Sequence, residues 1–256
     1  MLEQIIDSFF RGFLWELIAA IAGGYYLVKA KDVPFINRIF VWFLWLTLFV
    51  DTLGVYNIVA YYSDYEYFSF IKGTRFAHTY WLFNPYHLIA FVAFQSFFIT
   101  QIISKRLRKI LWAITIVFTL FGIFNLIFSG IYFTSYSAFT SIGGTVILVF
   151  LIGLYFYQIL RSNRILDFYK DLAFYIAIGA LLWHVSITPL FIYNKFGIMN
   201  SSPEFVNFYK ILLSAMNAFM YGSFAAGFLV VAKKGRSFKG FEEKLLVQDG
   251  NLIKEK

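Results

Sequence analysis

Seven long apolar runs, separated by short polar stretches, make up most of this 256-residue chain. Each run has about 20 mostly apolar residues, the length that an α-helix needs to cross the hydrocarbon core of a bilayer. Backbone polar groups in lipid must be paired within the segment, so each run is predicted to be helical. The runs are 9–28, 38–60, 80–103, 110–129, 138–160, 172–193 and 207–232. The sequence therefore predicts an all-α, polytopic transmembrane bundle of seven helices.

Composition supports this class of protein and excludes others. Hydrophobic residues make up 60% of the chain and charged residues only 14%, whereas about a quarter of the residues in a soluble domain are charged. The net charge of +8 comes from short basic clusters between the apolar runs, where such residues orient helices and meet anionic lipid. We therefore expect membrane lipids as partners and no binding of nucleic acid.

The distribution of basic residues predicts the orientation of the bundle. The first, third and fifth connections and the start of the segment after 232 together hold fourteen: Lys29, Lys31, Arg38, Lys105, Arg106, Arg108, Lys109, Arg161, Arg164, Lys170, Lys233, Lys234, Arg236 and Lys239. The opposite side holds five: Arg11, Lys72, Arg75, Lys195 and Lys210. Because cytoplasmic loops carry the excess of Lys and Arg, the N-terminus is predicted outside and the C-terminus in the cytoplasm.

The chain shows no shift in composition that would mark a second domain. Residues 1–232 are interpreted as one seven-helix transmembrane domain, and 233–256 as a short cytoplasmic tail that is disordered or a docking segment. The N-terminus opens with Glu3 and Asp7 rather than basic residues, so the first run is predicted to be a retained helix rather than a signal peptide. Heavy use of Phe, Ile, Tyr, Lys and Asn is typical of an AT-rich bacterial genome, which favours a bacterial cytoplasmic (inner) membrane.

Five polar residues fall at a similar depth in five of the predicted helices. Counting about 1.5 Å per residue from the outer helix ends puts them about 10 to 15 Å below the outer surface: Glu16, Asp51, His87, His184 and Asn217. An Asp facing lipid costs about 2.5–3.5 kcal/mol, and such residues are usually functional. The five are therefore predicted to face the interior as a ligand or proton site. The alternative is an interhelical hydrogen-bond network, and the two are not exclusive.

Pro189 follows His184 within the predicted sixth helix. Proline removes a backbone hydrogen bond and bends a helix, so Pro189 is predicted to be a hinge beside a buried histidine. The alternative for His184 is a neutral histidine of the core whose ring N–H bonds a carbonyl. The connection after the second run holds an aromatic cluster: Tyr61, Tyr62, Tyr65, Tyr67 and Phe68. We interpret it as an interfacial belt, with a cap over an external pocket as the alternative.

The sequence does not indicate a cofactor. His87 and His184 are the only candidate metal ligands, and no HxxxH or HExxH pair occupies one helix face, so we do not expect zinc. Bis-histidine haem would need both side chains on facing helices at equal depth, and we do not expect it either. The middle of the last run, 214–220, contains no lysine, so no retinal Schiff base is expected. Other cofactors stay open.

A family resemblance comes from the sixth run. Residues 171–183, DLAFYIAIGALLW, are followed by Pro189, Leu190 and Phe191. This pattern, with the length and hydropathy of the chain, resembles uncharacterised seven-helix multi-pass membrane proteins of Bacteroidetes. The resemblance implies a shared fold but no activity that can be carried over. Some of those proteins are encoded near two-component histidine kinases, which favours signalling.

The features above favour a receptor-like or sensor protein. It would respond to an external ligand or to protons and act through a signalling partner docked on the cytoplasmic loops. The alternatives are a transporter of a small solute or ion, an intramembrane metal-dependent enzyme, and a structural subunit of an envelope complex. An enzyme is less favoured, and the oligomeric state stays open.

Overall fold

The computed structural model describes residues 2–162, 167–195 and 203–234, and their side chains from Gly12 onward except those of 194, 195 and 234. Seven α-helices account for most of these residues: α1 (Leu2–Lys29), α2 (Phe35–Tyr62), α3 (Tyr80–Thr100), α4 (Lys105–Phe128), α5 (Gly144–Leu160), α6 (Leu172–Lys195) and α7 (Pro203–Lys234). Each helix corresponds to one predicted apolar run. The described ranges contain no β-strand, so the all-α class is confirmed. Beyond 234, the predicted tail lies outside them.

Six of the helices, α2 to α7, are long and apolar enough to cross a membrane, when α5 is taken together with the π-helical turn Phe139–Gly143. Their mean hydropathy and length are those of membrane spans, which agrees with a multi-pass integral membrane protein. The first helix is not among the six. Seven spans and the direction in which they run therefore stay predictions.

The ends of the helices follow from local sequence. At the start of α4, the Ser104 hydroxyl accepts a hydrogen bond from the Leu107 amide at 3.4 Å, which satisfies one of the unpaired donors of the first turn. Pro203 begins α7, where its missing N–H costs nothing. After α4, Gly130 has a φ of +71°, a conformation that glycine adopts without strain.

The two ends of the bundle differ in their connections. One end carries the segments 63–79 and 129–143, and we call it the long-loop end. The opposite end carries the short segments 30–34 and 101–104 between helices, and we call it the short-loop end. Short connections join neighbouring antiparallel helices. In α1 and α2, Tyr26 and Asn37 hydrogen-bond at 3.0 Å near the short-loop end.

Six helices form a closed ring in the order α1, α2, α3, α5, α6, α7 and back to α1, each packed against the next. The remaining helix, α4, lies outside this ring against α3 and the turn Phe139–Gly143. Of the six helices long enough to cross a membrane, α4 is also the least buried. The backbones of α6 and α7 come close at Gly179. A Cβ at this position would lie 3.0 Å from the Met220 carbonyl oxygen.

Aromatic side chains fill the interior of the ring in its short-loop half. The ring of Phe40 lies 4.9 Å from that of Phe97, 5.4 Å from that of Phe94 and 5.7 Å from that of Phe224. Phe98 is also fully buried beside Phe97. Such tilted and edge-to-face contacts are favourable for aromatic pairs. This half of the bundle is closed by packing.

Candidate ligand-binding cavity

A cavity of about 370 Å³ lies inside the ring of helices in the long-loop half. Along α3 its lining extends from Phe83 to Phe94, which is about 16 Å of helix. The volume falls within the range of about 300–1,000 Å³ that is usual for ligand pockets. All five residues predicted as a site line this one cavity: Glu16, Asp51, His87, His184 and Asn217. The structure thus brings together side chains from α1, α2, α3, α6 and α7.

Two carboxyl groups meet in the wall of the cavity. Glu16 of α1 is buried, and its side chain lies within hydrogen-bonding reach of Asp51 of α2. Carboxylate oxygens only accept hydrogen bonds, so such a contact requires a proton on one of the two groups. Glu16 Oε2 is buried, and no N–H or alcohol donor of the described residues reaches it. The two carboxyl groups therefore form a buried acidic pair that depends on a shared proton.

His184 is buried, and a short chain of hydroxyls holds its ring. Its Nδ1 lies 3.4 Å from Thr145 Oγ1, which in turn lies 2.9 Å from Thr188 Oγ1. The ring of Phe91 lies 5.1 Å from the imidazole. These contacts join α5 to α6, so part of the predicted polar layer is an interhelical hydrogen-bond network. His184 nevertheless also faces the cavity.

Asn217 is held in the same way. Its Oδ1 accepts a hydrogen bond of 2.6 Å from Trp183 Nε1, which ties α7 to α6. Its Nδ2 points toward Gly12, since a Cβ on that glycine would lie 3.9 Å from it. His184 and Asn217 therefore belong both to the cavity wall and to an interhelical hydrogen-bond network.

His87 occupies an aromatic environment rather than a polar one. Its ring centre lies 5.8 Å from that of Tyr86, 5.6 Å from Tyr136 and 6.4 Å from Phe191. Although both histidines line the cavity, the described residues contain no group of three His, Asp or Glu side chains placed to hold a metal ion.

Two tyrosines near the carboxyl pair were not anticipated from the sequence. Tyr86 and Tyr221 line the cavity and lie within electrostatic range of both Glu16 and Asp51. The Tyr86 hydroxyl donates a hydrogen bond of 2.9 Å to Thr47 Oγ1, which fixes its ring. The chain has 18 tyrosines, so residue type alone could not distinguish these two from interfacial ones.

The 129–143 connection closes over the cavity through Tyr136. Asn84 of α3 anchors this connection, because its Nδ2 donates to the carbonyls of Tyr132 at 3.1 Å and Ser135 at 3.0 Å. Its Oδ1 accepts from the Ser137 amide at 3.1 Å. Burial raises the pKa of the Tyr136 phenol, which keeps this lining group neutral. In the sequence, the position of Asn84 directly before Pro85 could have drawn attention to this residue. Its hydrogen-bond partners in the 129–143 connection could not have been predicted.

Two predictions concern the surroundings of the cavity. The helix α6 continues through Pro189 without interruption, so the hinge stays a prediction. The aromatic cluster from Tyr61 to Phe68 does not line the cavity. Two of its side chains, Tyr61 and Tyr67, are 67% and 72% exposed. An exposed position agrees with an interfacial belt. By contrast, Tyr136 of the 129–143 connection does line the cavity.

A further polar group lies between the cavity and the short-loop end. Gln95 of α3 is fully buried, and neither amide atom has a hydrogen-bond partner among the described residues. Gln95 does not line the cavity. An unpaired buried amide is costly to stability.

Comparison with family models, with curated proteins and with solved structures gave no match.

Proposed function

We propose that the protein is a receptor-like sensor of the bacterial cytoplasmic membrane, and that the cavity binds its external ligand. The observation that carries the proposal is the convergence of five polar side chains from five helices on one cavity of about 370 Å³. A pocket with mostly aromatic walls and a few polar groups is the usual form of a small-molecule site. Signalling is also favoured by the resemblance of the sixth helix to the Bacteroidetes membrane proteins.

In this proposal all seven helices span the membrane, with the long-loop end and the N-terminus outside and the C-terminus in the cytoplasm. The basic residues of the short connections support this direction. The cavity then faces the outside, and the aromatic packing of Phe40, Phe97 and Phe224 separates it from the cytoplasm. The signal passes through a partner docked on the basic loops of the short-loop end.

Orientation can be tested directly, because the chain contains no cysteine. A thiol introduced at Glu66, exposed in the 63–79 connection, should react with a membrane-impermeant maleimide on intact cells. A thiol at Asp32, exposed in the 30–34 connection, should react only after permeabilisation. The reverse pattern would overturn the proposed direction, and with it the external position of the cavity.

Ligand response can be tested in proteoliposomes with a fluorophore on the Asp32→Cys variant. The 30–34 connection joins α1 and α2, the helices that carry the two carboxyl groups, so a ligand between them should shift it. The probes are amines, amino acids, carboxylates, sugars, nucleosides and a step in pH. We expect a fluorescence change with one class, lost with Asp51→Asn and kept with Asp64→Asn, an exposed carboxylate. If no probe produces a change, the sensor proposal is abandoned.

A transporter is the second candidate, because the same cavity could hold a solute in transit. It requires access from both sides of the membrane in alternation. The closed aromatic half of the bundle gives this candidate less support than the first. The same vesicles decide between them: uptake of the probe that changes the fluorescence would identify a transporter, and a response without uptake a sensor.

A further inference from the structure

We infer that the ligand of the cavity is a small organic ammonium ion that carries an apolar group. The inference rests on the proposed function of the cavity as a ligand site and names the chemical class that this site would accept. The feature that carries it is the buried Glu16–Asp51 carboxyl pair in a wall otherwise made mainly of aromatic rings.

The charge of the carboxyl pair fits one monovalent cation. Two carboxyl groups in hydrogen-bonding contact share a proton, since two negative charges about 3 Å apart are strongly disfavoured. Glu16 and Asp51 together then carry one negative charge. Among the described side chains, no Lys or Arg forms an ion pair with either group. A single ammonium ion supplies the missing positive charge and leaves the site neutral.

The hydrogen bonds of the pair also fit an ammonium ion. Glu16 Oε2 is a buried acceptor that receives no hydrogen bond from the N–H and alcohol groups of the described residues. An ammonium group has N–H donors and no acceptor. A hydrogen bond between an ammonium ion and a carboxylate is among the strong ones, because both partners are charged.

The aromatic walls favour an organic cation over an inorganic one. About half of the residues that line the cavity are aromatic, Tyr86 and Tyr221 among them, and aromatic rings attract cations through their faces. At the bottom of the cavity Leu44, Phe94 and Phe224 offer only apolar surface. A ligand with its ammonium at the carboxyl pair and an apolar group on this floor would contact both regions.

Other ligand classes fit less well. An anion would meet the negative charge of the carboxyl pair. A divalent cation carries one positive charge more than the pair neutralises when its two carboxyl groups share a proton. A sugar requires many paired polar groups, whereas Asn217 and His184 each already have a hydrogen-bonding partner in the protein.

The test compares three probes of nearly the same shape on the purified full-length protein in nanodiscs. Phenethylammonium is the cation, 2-phenylethanol the neutral analogue and phenylacetate the anion, and binding is measured by titration calorimetry. We expect phenethylammonium to bind at least about tenfold more tightly than 2-phenylethanol, because the ion pair and its hydrogen bonds are lost with the alcohol. Phenylacetate should not bind.

Variants locate the site. Glu16→Gln and Asp51→Asn should each weaken the binding of phenethylammonium by about tenfold or more, while Asp64→Asn, at the exposed surface, should leave it unchanged. Thermal unfolding shows whether each variant is folded. Should a carboxamide variant fail to fold, the comparison of the three probes on the unmodified protein still decides.

The outcomes separate this inference from the proposed function. Equal binding of the alcohol and the ammonium ion, or an ammonium affinity unchanged in both carboxamide variants, would overturn the ammonium ligand and leave the cavity as a site for another class. Absence of binding by all three probes would overturn it as well. The response of the vesicles to the remaining probe classes would then decide the sensor proposal separately.

Discussion

In the long-loop half of the bundle the ring of helices surrounds a cavity of about 370 Å³ with carboxyl, imidazole and amide groups in its wall. In the short-loop half the same helices close on aromatic rings, with Phe40, Phe97 and Phe98 almost completely buried. The same helices run through both halves, and the side chains that face the interior differ in volume and polarity. One half is filled by side chains and the other leaves an open volume.

This difference has an energetic consequence. Association of helices in lipid depends on close packing, because lipid tails compete equally well for apolar surface. The short-loop half should therefore supply most of the stability, and changes there should cost more than changes of the same size elsewhere. The following variants test that division.

Phe97→Ala should have the largest effect. The side chain is 1% exposed and packs against Phe40 and Phe98, so its removal leaves a cavity and should lower the free energy of unfolding by about 3 kcal/mol. Titration with SDS in mixed micelles measures this change. The control is Phe121→Ala on the outer surface of α4, where the side chain is 59% exposed and the cost should be small. Equal costs at the two positions would contradict the division.

Gly144→Ala tests overpacking beside the cavity. A Cβ there would lie 2.4 Å from the ring of Phe91, which itself lines the cavity and contacts His184. We expect a loss of about 2 kcal/mol. At Gly24 nothing lies within 4 Å of the added Cβ, so Gly24→Ala should be neutral or slightly stabilising. If the Phe91 ring moves into the cavity, Gly144→Ala will lower the free energy of unfolding by less than about 1 kcal/mol. That result would contradict a rigid cavity wall.

Gln95→Met should stabilise the protein. The amide of Gln95 is fully buried without a partner among the described residues, and methionine has nearly the same volume without the unpaired polar atoms. Removing them should raise the free energy of unfolding by about 1 kcal/mol. As a control, Gln158→Met removes an amide oxygen that accepts a hydrogen bond of 2.8 Å from the Ile103 amide, and it should destabilise. A loss of stability in Gln95→Met would contradict this expectation and show that the amide is hydrogen-bonded in the folded protein.

The sequence was sufficient to predict the helices and to expect the five polar residues in one part of the bundle. A 20-residue apolar run has few alternatives to a helix in lipid, so all seven runs could be placed. Among the described residues, six helices are long and apolar enough to span a membrane. Depth follows from a constant rise per residue, which is why Glu16, Asp51 and His184 could be assigned to one layer. Whether their layer acts as a ligand or proton site stays a prediction.

The packing around that layer could not be predicted. The position of α4 outside the ring depends on contacts between distant residues. Several helices, α3, α6 and α7 among them, have no clear polar face, so periodicity does not reveal which face is inside. Tyr86, Tyr136 and Tyr221 line the cavity but are indistinguishable in sequence from tyrosines of the membrane interface. The two roles of His184, in a network and in a wall, also appear only once Thr145 is seen beside it.

Thr145→Val tests how much of the polar layer serves structure, and its effect should be the smallest. The hydroxyl contacts His184 Nδ1 at 3.4 Å and Thr188 Oγ1 at 2.9 Å, and interhelical hydrogen bonds in membranes contribute about 0.6 kcal/mol each. Because the contact with Thr188 is the shorter of the two, the variant should lose about 0.6 kcal/mol of unfolding free energy. The control is Thr119→Val, whose hydroxyl bonds only the Thr115 carbonyl of its own helix.

The same variant distinguishes the two roles of the layer. Loss of the Thr145 hydroxyl frees the His184 ring, which faces the cavity from α6. If the layer were only a structural network, stability would fall and the response of the Asp32→Cys reporter would be unchanged. In a ligand site, the freed imidazole should alter the affinity for the responding probe while the fold persists. A change in affinity larger than the change in stability would therefore assign the long-loop half to binding rather than to packing.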